Sequence, residues 1–483
     1  MNGTIKTKSG WRTLRRILVA LAVLATLVAI FYTEENWRGK RAWAKTKSEL
    51  EAKGVVLDWN ACIPPPVPDE QNFFKASKMQ EWFVGRGGSD LSKRLQSKNA
   101  DLTSSVGAAT NLIATTETAR TYLAWSDQFK PDFDLINQAL KRPDARMDGD
   151  YSVPYQIPIP NFIAVRALAQ VLAQRARCHM LVGEPEMALD DLTFLNDSRR
   201  MLEGAPTHEP MTLVAAMINV AVVGLYANTV SNCLEYGLWK EPELAALQKQ
   251  CEEINVLPIV TSSFHREQVA TAFTVETTPP AKLADLFSGT SFPSNGKPSL
   301  AGRLRLLKNP LYVFLKFGPR GWVYQNMVTG TELSQKEFDC VDVSNQTISP
   351  RVLKDAGDEM ARKFRRWSPD SFIVSIAVPN FIKAWQTTAH NQTLAEQLEI
   401  ACALERYRLA HGEYPETLDA LIPQFIAKLP HDIIDGQPLH YRRTNDREFL
   451  LYSVGWNEKD DGGVPGTLSD PSQGDWVWQY PGK

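Results

Sequence analysis

Seven histidines, at positions 179, 208, 265, 390, 411, 431 and 440, are the side chains best suited to moving protons near neutral pH. None stands in an H-E-x-x-H zinc pattern, because His208-Glu209 is followed by Pro210, which would break the helix that motif requires. The chain has no G-x-S-x-G nucleophile elbow and no phosphate loop. His265-Arg266-Glu267 is the densest polar triplet, and a hydrolase built from distant residues would need His265 in a deep pocket with carboxylates from another segment. Structural ion pairs are far commoner than catalytic ones, so a salt bridge is the simpler expectation for the triplet. Asp144, Asp148 and Asp150 around Gly149 suit either a metal or a polar turn. Asp190 and Asp191 are neighbours, so on a helix they diverge and form no carboxylate pair. No catalytic residue is assigned.

The elements that would position such groups are bounded by the totals. A chain of 483 residues, 43% hydrophobic and 22% charged, buries a full core as two or three domains. Its formal charge of −2 argues against nucleic acid as a partner, since a phosphate-tracking face needs excess Lys and Arg. Cysteines 62, 178, 233, 251, 340 and 402 show neither C-x-x-C nor metal-finger spacing. Cys178 and Cys402 sit among alanines in helical patterns and read as buried, inert thiols.

Ile17–Tyr32 carries no charge and one polar residue, Thr26. Those sixteen residues fall just short of the ~20 that span hydrocarbon, and Arg15, Arg16 and Trp37 can extend them at the interfaces. No small-x-small cleavage site follows closely, so an uncleaved signal anchor is expected rather than a removed leader. Lys6, Lys8, Arg12, Arg15 and Arg16 precede the span, while Arg38, Lys40, Arg41, Lys45 and Lys47 follow it, so the charge rule ties. The short basic tail resembles a signal n-region and favours a cytoplasmic N-terminus. The lipid bilayer is then the first partner, through residues 17–32.

Residues 33–69 read as a juxtamembrane helix ending at Gly54, then a stiff polyproline spacer, Cys62-Ile63-Pro64-Pro65-Pro66-Val67-Pro68. Residues 70–257 read as a helical domain, broken at Asp150–Asn161 by Pro154, Pro158 and Pro160. Within it Ala167–Leu172 to Met187–Leu192 forms a helical hairpin. Gly183 stands five residues before Ala188, the spacing of a tetratricopeptide repeat, but no copy follows thirty-four residues later. Met211–Leu234 is uncharged, yet Asn219, Asn228, Ser231 and Asn232 predict a helix buried in protein rather than a second span. Residues 258–370 read as an irregular insert, with a Ser/Gly/Pro-rich loop at Ser288–Ser299.

The last segment, 371–483, has the clearest order. Phe381, Trp385, Leu394, Leu398, Ala401, Leu404 and Tyr407 place one apolar stripe on a long helix that stops at His411-Gly412. Leu439–Arg443 and Phe449–Val454 alternate as strands of a hairpin turning at Thr444–Arg447. Gly455-Trp456-Asn457-Glu458-Lys459-Asp460-Asp461-Gly462-Gly463 follows as a loop. The expected fold is therefore mainly α: an N-terminal transmembrane helix, a helical-hairpin body and a C-terminal α+β domain with a long helix on a small antiparallel sheet.

This order, from Val378-Pro379-Asn380-Phe381-Ile382-Lys383-Ala384 through Tyr407–Pro415 to the Gly455–Gly463 loop, resembles the soluble domain of type II secretion pseudopilins, the major pseudopilin most of all. The resemblance implies an outward-facing domain and a calcium site in the loop after the strands. The matching loop offers Asn457, Asp460 and Asp461, and Asp475 before Trp476 matches the family's late Asp-Trp region. Hard oxygens among glycines suit Ca²⁺, although Lys459 rules out EF-hand spacing and a solvated acidic turn would look the same. A pseudopilin starts with a processing site and a long apolar helix. Here only Phe372–Val378 is apolar before Pro379, and the anchor lies about 340 residues upstream, so processing or polymerisation as a pilin is not expected. The layout also resembles large membrane-anchored proteins of planctomycete and verrucomicrobial bacteria that carry no known activity. Together these readings point to a single-pass inner-membrane protein with its bulk in the periplasm. It would be a non-catalytic envelope scaffold partnered by envelope or secretion-system proteins, with an envelope hydrolase as the alternative.

Overall fold

From Thr7 to Ala52 the chain holds no proline, and only Gly10 and Gly39 weaken its helical run. It forms one continuous helix there, α1 (Thr7–Ala52). The expected break between an anchor and a juxtamembrane helix is absent, because nothing between Tyr32 and Asn36 interrupts the backbone ladder. The helix ends where glycine permits it, with Gly54 at φ +83°. The structure, a computed structural model, describes residues 7–55, 57–108, 112–204, 212–287, 305–365, 368–466 and 472–480. The Ser288–Ser299 loop, His208-Glu209-Pro210 and the residues before Thr7 lie outside them.

The longer helices that follow are α2 (Asp90–Gln96), α3 (Asn99–Ala108), α4 (Leu112–Ser126), α5 (Lys130–Leu140), α6 (Phe162–Val182), α7 (Pro185–Asp197), α8 (Leu213–Leu234) and α9 (Glu241–Glu252). Then come α10 (Leu257–Thr277), α11 (Pro280–Phe287), α12 (Pro310–Phe317), α13 (Arg320–Phe338), a ribbon of β1 (Val341–Asp342) and β2 (Thr347–Ile348), and α14 (Pro350–Phe364). The chain closes with α15 (Phe372–His411), β3 (His440–Asn445), β4 (Glu448–Ser453) and β5 (Trp476–Tyr480). The region 258–370 is thus largely helical where it is described. The eight-residue α12, which buries Tyr312, Phe314 and Leu315, is too short to show a helical period in the sequence. The chain divides into two compact units: Met1–Leu57 with Thr271–Gln335 and Asp358–Pro379, and Asp58–Ala270 with Lys336–Gly357 and Asn380–Lys483.

In the first unit, α1 leaves its apolar stretch exposed on every side and then becomes a packed element. Trp43 is buried, and its Nε1 donates to Glu276 Oε1 at 2.6 Å. Asn309 caps α12 by accepting from the N–H groups of Leu311 and Tyr312, with Pro310 at the first helical position. Phe314 stacks on Trp322 at 5.7 Å, and Leu333, Met360 and Val374 form a small core. Asn326 Oδ1 accepts from Ile373 N at 2.8 Å at the start of α15.

In the second unit, the alanine-rich α6 packs against α7, the chain turning between them at Gly183 with φ +81°. Asn161 caps α6 after the proline-rich break. Helix α8 is buried against α6 and α7, with Val220, Val223 and Tyr226 fully enclosed. The proline segment is not a free spacer. Trp59, 1% exposed, donates to Tyr151 O at 2.8 Å, and Arg146 reaches the Pro64 carbonyl, which holds the segment on the body.

Helix α15 starts at Phe372 and continues past Pro379. It buries more than one stripe: Thr388, Gln392, Thr393, Gln397 and Glu405 are enclosed together with Trp385 and Leu398. Gln392 binds Ile254 O (3.0 Å) and Val256 N (3.0 Å), Asn391 donates to Val220 O, and Gln397 donates to Trp476 O at 2.7 Å. These amides satisfy backbone groups of the helical body on one side and of the sheet on the other. Strands β3, β4 and β5 form an antiparallel sheet in that order, with Ser453 opposite Trp476.

Candidate functional site

Strand pairing decides where the four oxygen-bearing residues go. Asp475 directly precedes β5, and the Ser453–Trp476 register sets it beside the loop that leaves β4. Gly455, at φ +67°, allows the close pass, since a Cβ there would meet Gly474 O at 2.6 Å. Asp475 is 2% exposed, and its carboxylate accepts from Asp461 N (3.1 Å) and Gly463 N (2.6 Å). Asp460 Oδ1 accepts from Gly462 N at 2.8 Å and from the Tyr452 hydroxyl at 3.1 Å. The Gly462 N–H, with Tyr452 and His440 behind it, holds the Asp460 carboxyl below the ordinary aspartate range. Asn457 Nδ2 donates to Asp461 Oδ2 at 2.8 Å.

Asn457, Asp460 and Asp461 therefore share one loop with Asp475 beside it, and each of the four accepts a hydrogen bond from an N–H or O–H donor there. Among the described residues, no group of three or more His, Cys, Asp or Glu is arranged to hold a metal ion.

A fourth acid, Asp432, escaped the sequence reading. Asp432 is 1% exposed; its Oδ1 accepts from Ile434 N and Ser453 Oγ, and its Oδ2 from Val454 N, all at 2.9 Å. It fastens the end of β4 to the segment before β3. Burial pushes its pKa up against those three bonds. An acid next to Ile433-Ile434 was the signal available in the sequence.

The other polar residues form internal clamps. Arg175, 3% exposed, holds Asp191 at 3.1 and 3.2 Å, Ser126 at 2.7 Å and Asp127 at 2.8 Å. His179 Nδ1 meets Glu184 Oε2 at 2.8 Å, and its Nε2 lies 3.6 Å from Asp191. Asp190 is exposed, diverging from Asp191 as expected. In the His265-Arg266-Glu267 triplet, Glu267 accepts from Leu213 N at 3.2 Å and so caps α8, while burial raises its pKa. Asp148 pairs with Lys75 at 3.0 Å and Asp150 accepts from Ser152, so both serve turns. On α15, burial and Glu252 push Glu399 up to about 8, and burial raises Glu396 well above the carboxylate range.

A cleft enclosing roughly 420 Å³, part of it open to solvent, lies beside Arg146, Tyr151, Pro64 and Thr212. The Arg146 guanidinium sits 4.4 Å above the Tyr151 ring, and among the described residues neither imidazole nor carboxylate lines the space.

The most uncovered surface is on α1. Leu18, Leu24 and Leu27 are 57, 57 and 59% exposed. The packed part of the helix begins where the apolar run stops: the Tyr32 hydroxyl donates to Phe317 O, the Phe31 ring meets Trp322 at 6.0 Å, and Trp322 Nε1 donates to Glu35 Oε2 at 3.0 Å.

No protein-family model, curated protein or solved structure matches this chain. Function must therefore be read from these surfaces themselves.

Proposed function

We propose that the chain is a single-pass membrane protein, N-terminus in the cytoplasm and bulk outside it, that serves the cell envelope as a non-catalytic scaffold. One observation carries the reading: the apolar face of α1 from Ile17 to Tyr32 is exposed around its full circumference. Covering one large aliphatic side chain contributes roughly 1.5–3 kcal/mol. With Leu18, Val19, Leu21, Val23, Leu24, Leu27, Val28 and Ile30 all exposed, insertion into hydrocarbon is worth on the order of 15 kcal/mol. The other long apolar helix, α8, is already covered by protein.

The scaffold part of the reading is supported by polar networks that close on themselves, at Arg175, Asp432 and Asp475. A long helix against a three-stranded sheet also accords with the pseudopilin-like reading and with partners in a secretion or envelope assembly. Two experiments test it. Protease added to spheroplasts should digest the chain beyond Tyr32, and full protection would overturn the topology. A tagged full-length protein, solubilised in mild detergent from its native cells, should carry envelope components at stoichiometric levels. A partner-free preparation that shows hydrolase activity in a substrate screen would overturn the scaffold.

A further inference from the structure

The sequence from Leu286 to Thr331 contains no acid but holds Lys297, Arg303, Arg305, Lys308, Lys316 and Arg320. Its described part includes α12, which buries Tyr312, Phe314 and Leu315 and turns Lys316 and Phe317 outward. Leu307 and Phe317 are 49 and 52% exposed, and Arg305, Lys308 and Lys316 are exposed around them. Among the described residues, no carboxylate lies within ion-pair distance of those three cations. An apolar and basic face with no acid opposite it is the composition that binds anionic lipid headgroups.

Its height relative to the anchor is set by contacts inside the same unit. The Tyr32 hydroxyl donates to Phe317 O, and Phe31 packs on Trp322 at 6.0 Å. Phe31 and Tyr32 are the last residues of the apolar run, so the C-terminal end of α12 stands where hydrocarbon gives way to headgroups. Trp37, 61% exposed beneath the Arg41 guanidinium at 5.2 Å, lies roughly 7 Å further along α1, at the depth favoured by interfacial aromatics.

We propose that Arg305–Phe317 is a membrane-surface element: Leu307 and Phe317 enter the interface, and Arg305, Lys308 and Lys316 bind the phosphates of anionic lipids in the leaflet that α1 leaves. It holds the first unit flat on the bilayer, where a lone helix would let it swing. The inference rests on the anchor reading, and the experiment separates the two.

Full-length protein carrying Cys62→Ser, whose remaining described thiols are buried, is labelled with an environment-sensitive fluorophore at Phe317→Cys or Val28→Cys. Each is reconstituted in vesicles of neutral or mixed neutral and anionic phospholipid containing spin-labelled quencher lipid. Val28 should be quenched in both lipids. Phe317 should be quenched several-fold more strongly in anionic than in neutral vesicles, and Lys308→Glu with Lys316→Glu should abolish the difference. An unquenched Val28 probe overturns the anchor itself. A quenched Val28 with an unquenched Phe317 overturns the surface element alone. A Phe317 probe shielded from aqueous iodide but untouched by quencher lipid assigns the face to a protein partner and overturns the lipid proposal. Equal quenching in neutral vesicles, unchanged by charge reversal, overturns the phosphate contacts.

Discussion

Gly39 and Gly321 meet backbone to backbone. A Cβ on Gly39 would lie 2.1 Å from the Gly321 carbonyl oxygen, and one on Gly321 would lie 1.8 Å from that of Glu35. The contact clamps α1 to the start of α13 two turns beyond the apolar stretch, and Gly321 N donates to Asn36 Oδ1 at 2.8 Å. Because the obstructing atoms are backbone, neither side can yield by changing rotamer. Gly321→Ala should destabilise the first unit by about 3 kcal/mol or more, lowering the melting temperature in detergent. Gly107→Ala is the control: its Cβ meets nothing within 4 Å in α3, and alanine there should stabilise by about 1 kcal/mol. Equal effects of the two changes would refute the clamp.

Removing the buried Asp475 carboxylate takes the acceptor from two N–H groups, those of Asp461 and Gly463. Asp475→Ala should cost about 1–3 kcal/mol and speed amide exchange at 461–463 by several-fold. With the loop already closed by hydrogen bonds, EDTA should leave the melting temperature of the full chain unchanged. A rise of several degrees on adding Ca²⁺, lost in Asp475→Ala, would show that the loop is a calcium site after all.

Glu399 is held protonated to about pH 8 by burial and Glu252, whereas an unfolded glutamate titrates near ~4.3. The folded state therefore binds more protons than the unfolded state between these values. The stability this confers is complete below about pH 4 and is lost as pH rises toward 8. Glu337, pushed up to about 7 by burial, adds with the same sign. His390, whose pKa burial lowers, acts in the opposite direction below the ordinary histidine range, so the informative quantity is a difference. Urea denaturation of the wild type minus that of Glu399→Gln should fall by up to ~1.4 kcal/mol per pH unit from pH 5 to 8. A flat difference would mean that Glu399 ionises freely in the fold.

Arg175 compensates a buried Asp191 and an adjoining Asp127. Arg175→Ala should therefore cost about 3–5 kcal/mol, because a carboxylate is left buried without its cation. Arg175→Met with Asp191→Leu should recover most of that loss, as apolar pairs often replace buried ion pairs without penalty. If the double variant were as unstable as the single one, the cluster would be doing more than neutralising its own charge. Chemical denaturation of the wild type, Arg175→Ala and the double variant measures this.

Several elements were legible in the chain because local chemistry decides them. The uncharged run from Ile17 to Tyr32, the Gly183 turn, the helix stop at His411-Gly412 and the β3–β4 hairpin each depend on a few neighbouring residues. The loop with Asn457, Asp460 and Asp461 was equally plain, although sequence could not say whether its oxygens face an ion or their own N–H groups.

Only tertiary structure settled the rest, because it turned on partners far away in sequence. Gln392 and Gln397 lie off the apolar stripe that the sequence places on α15, yet they satisfy backbone groups of Ile254 and Trp476. Asp432 became a latch through Ser453 and Val454, and Glu267 a cap through Leu213. A polar side chain carries no mark in sequence of whether water or a distant amide will bind it. The chain's local pattern chose the helices and strands, and the pairing of buried polar groups chose which of them pack together.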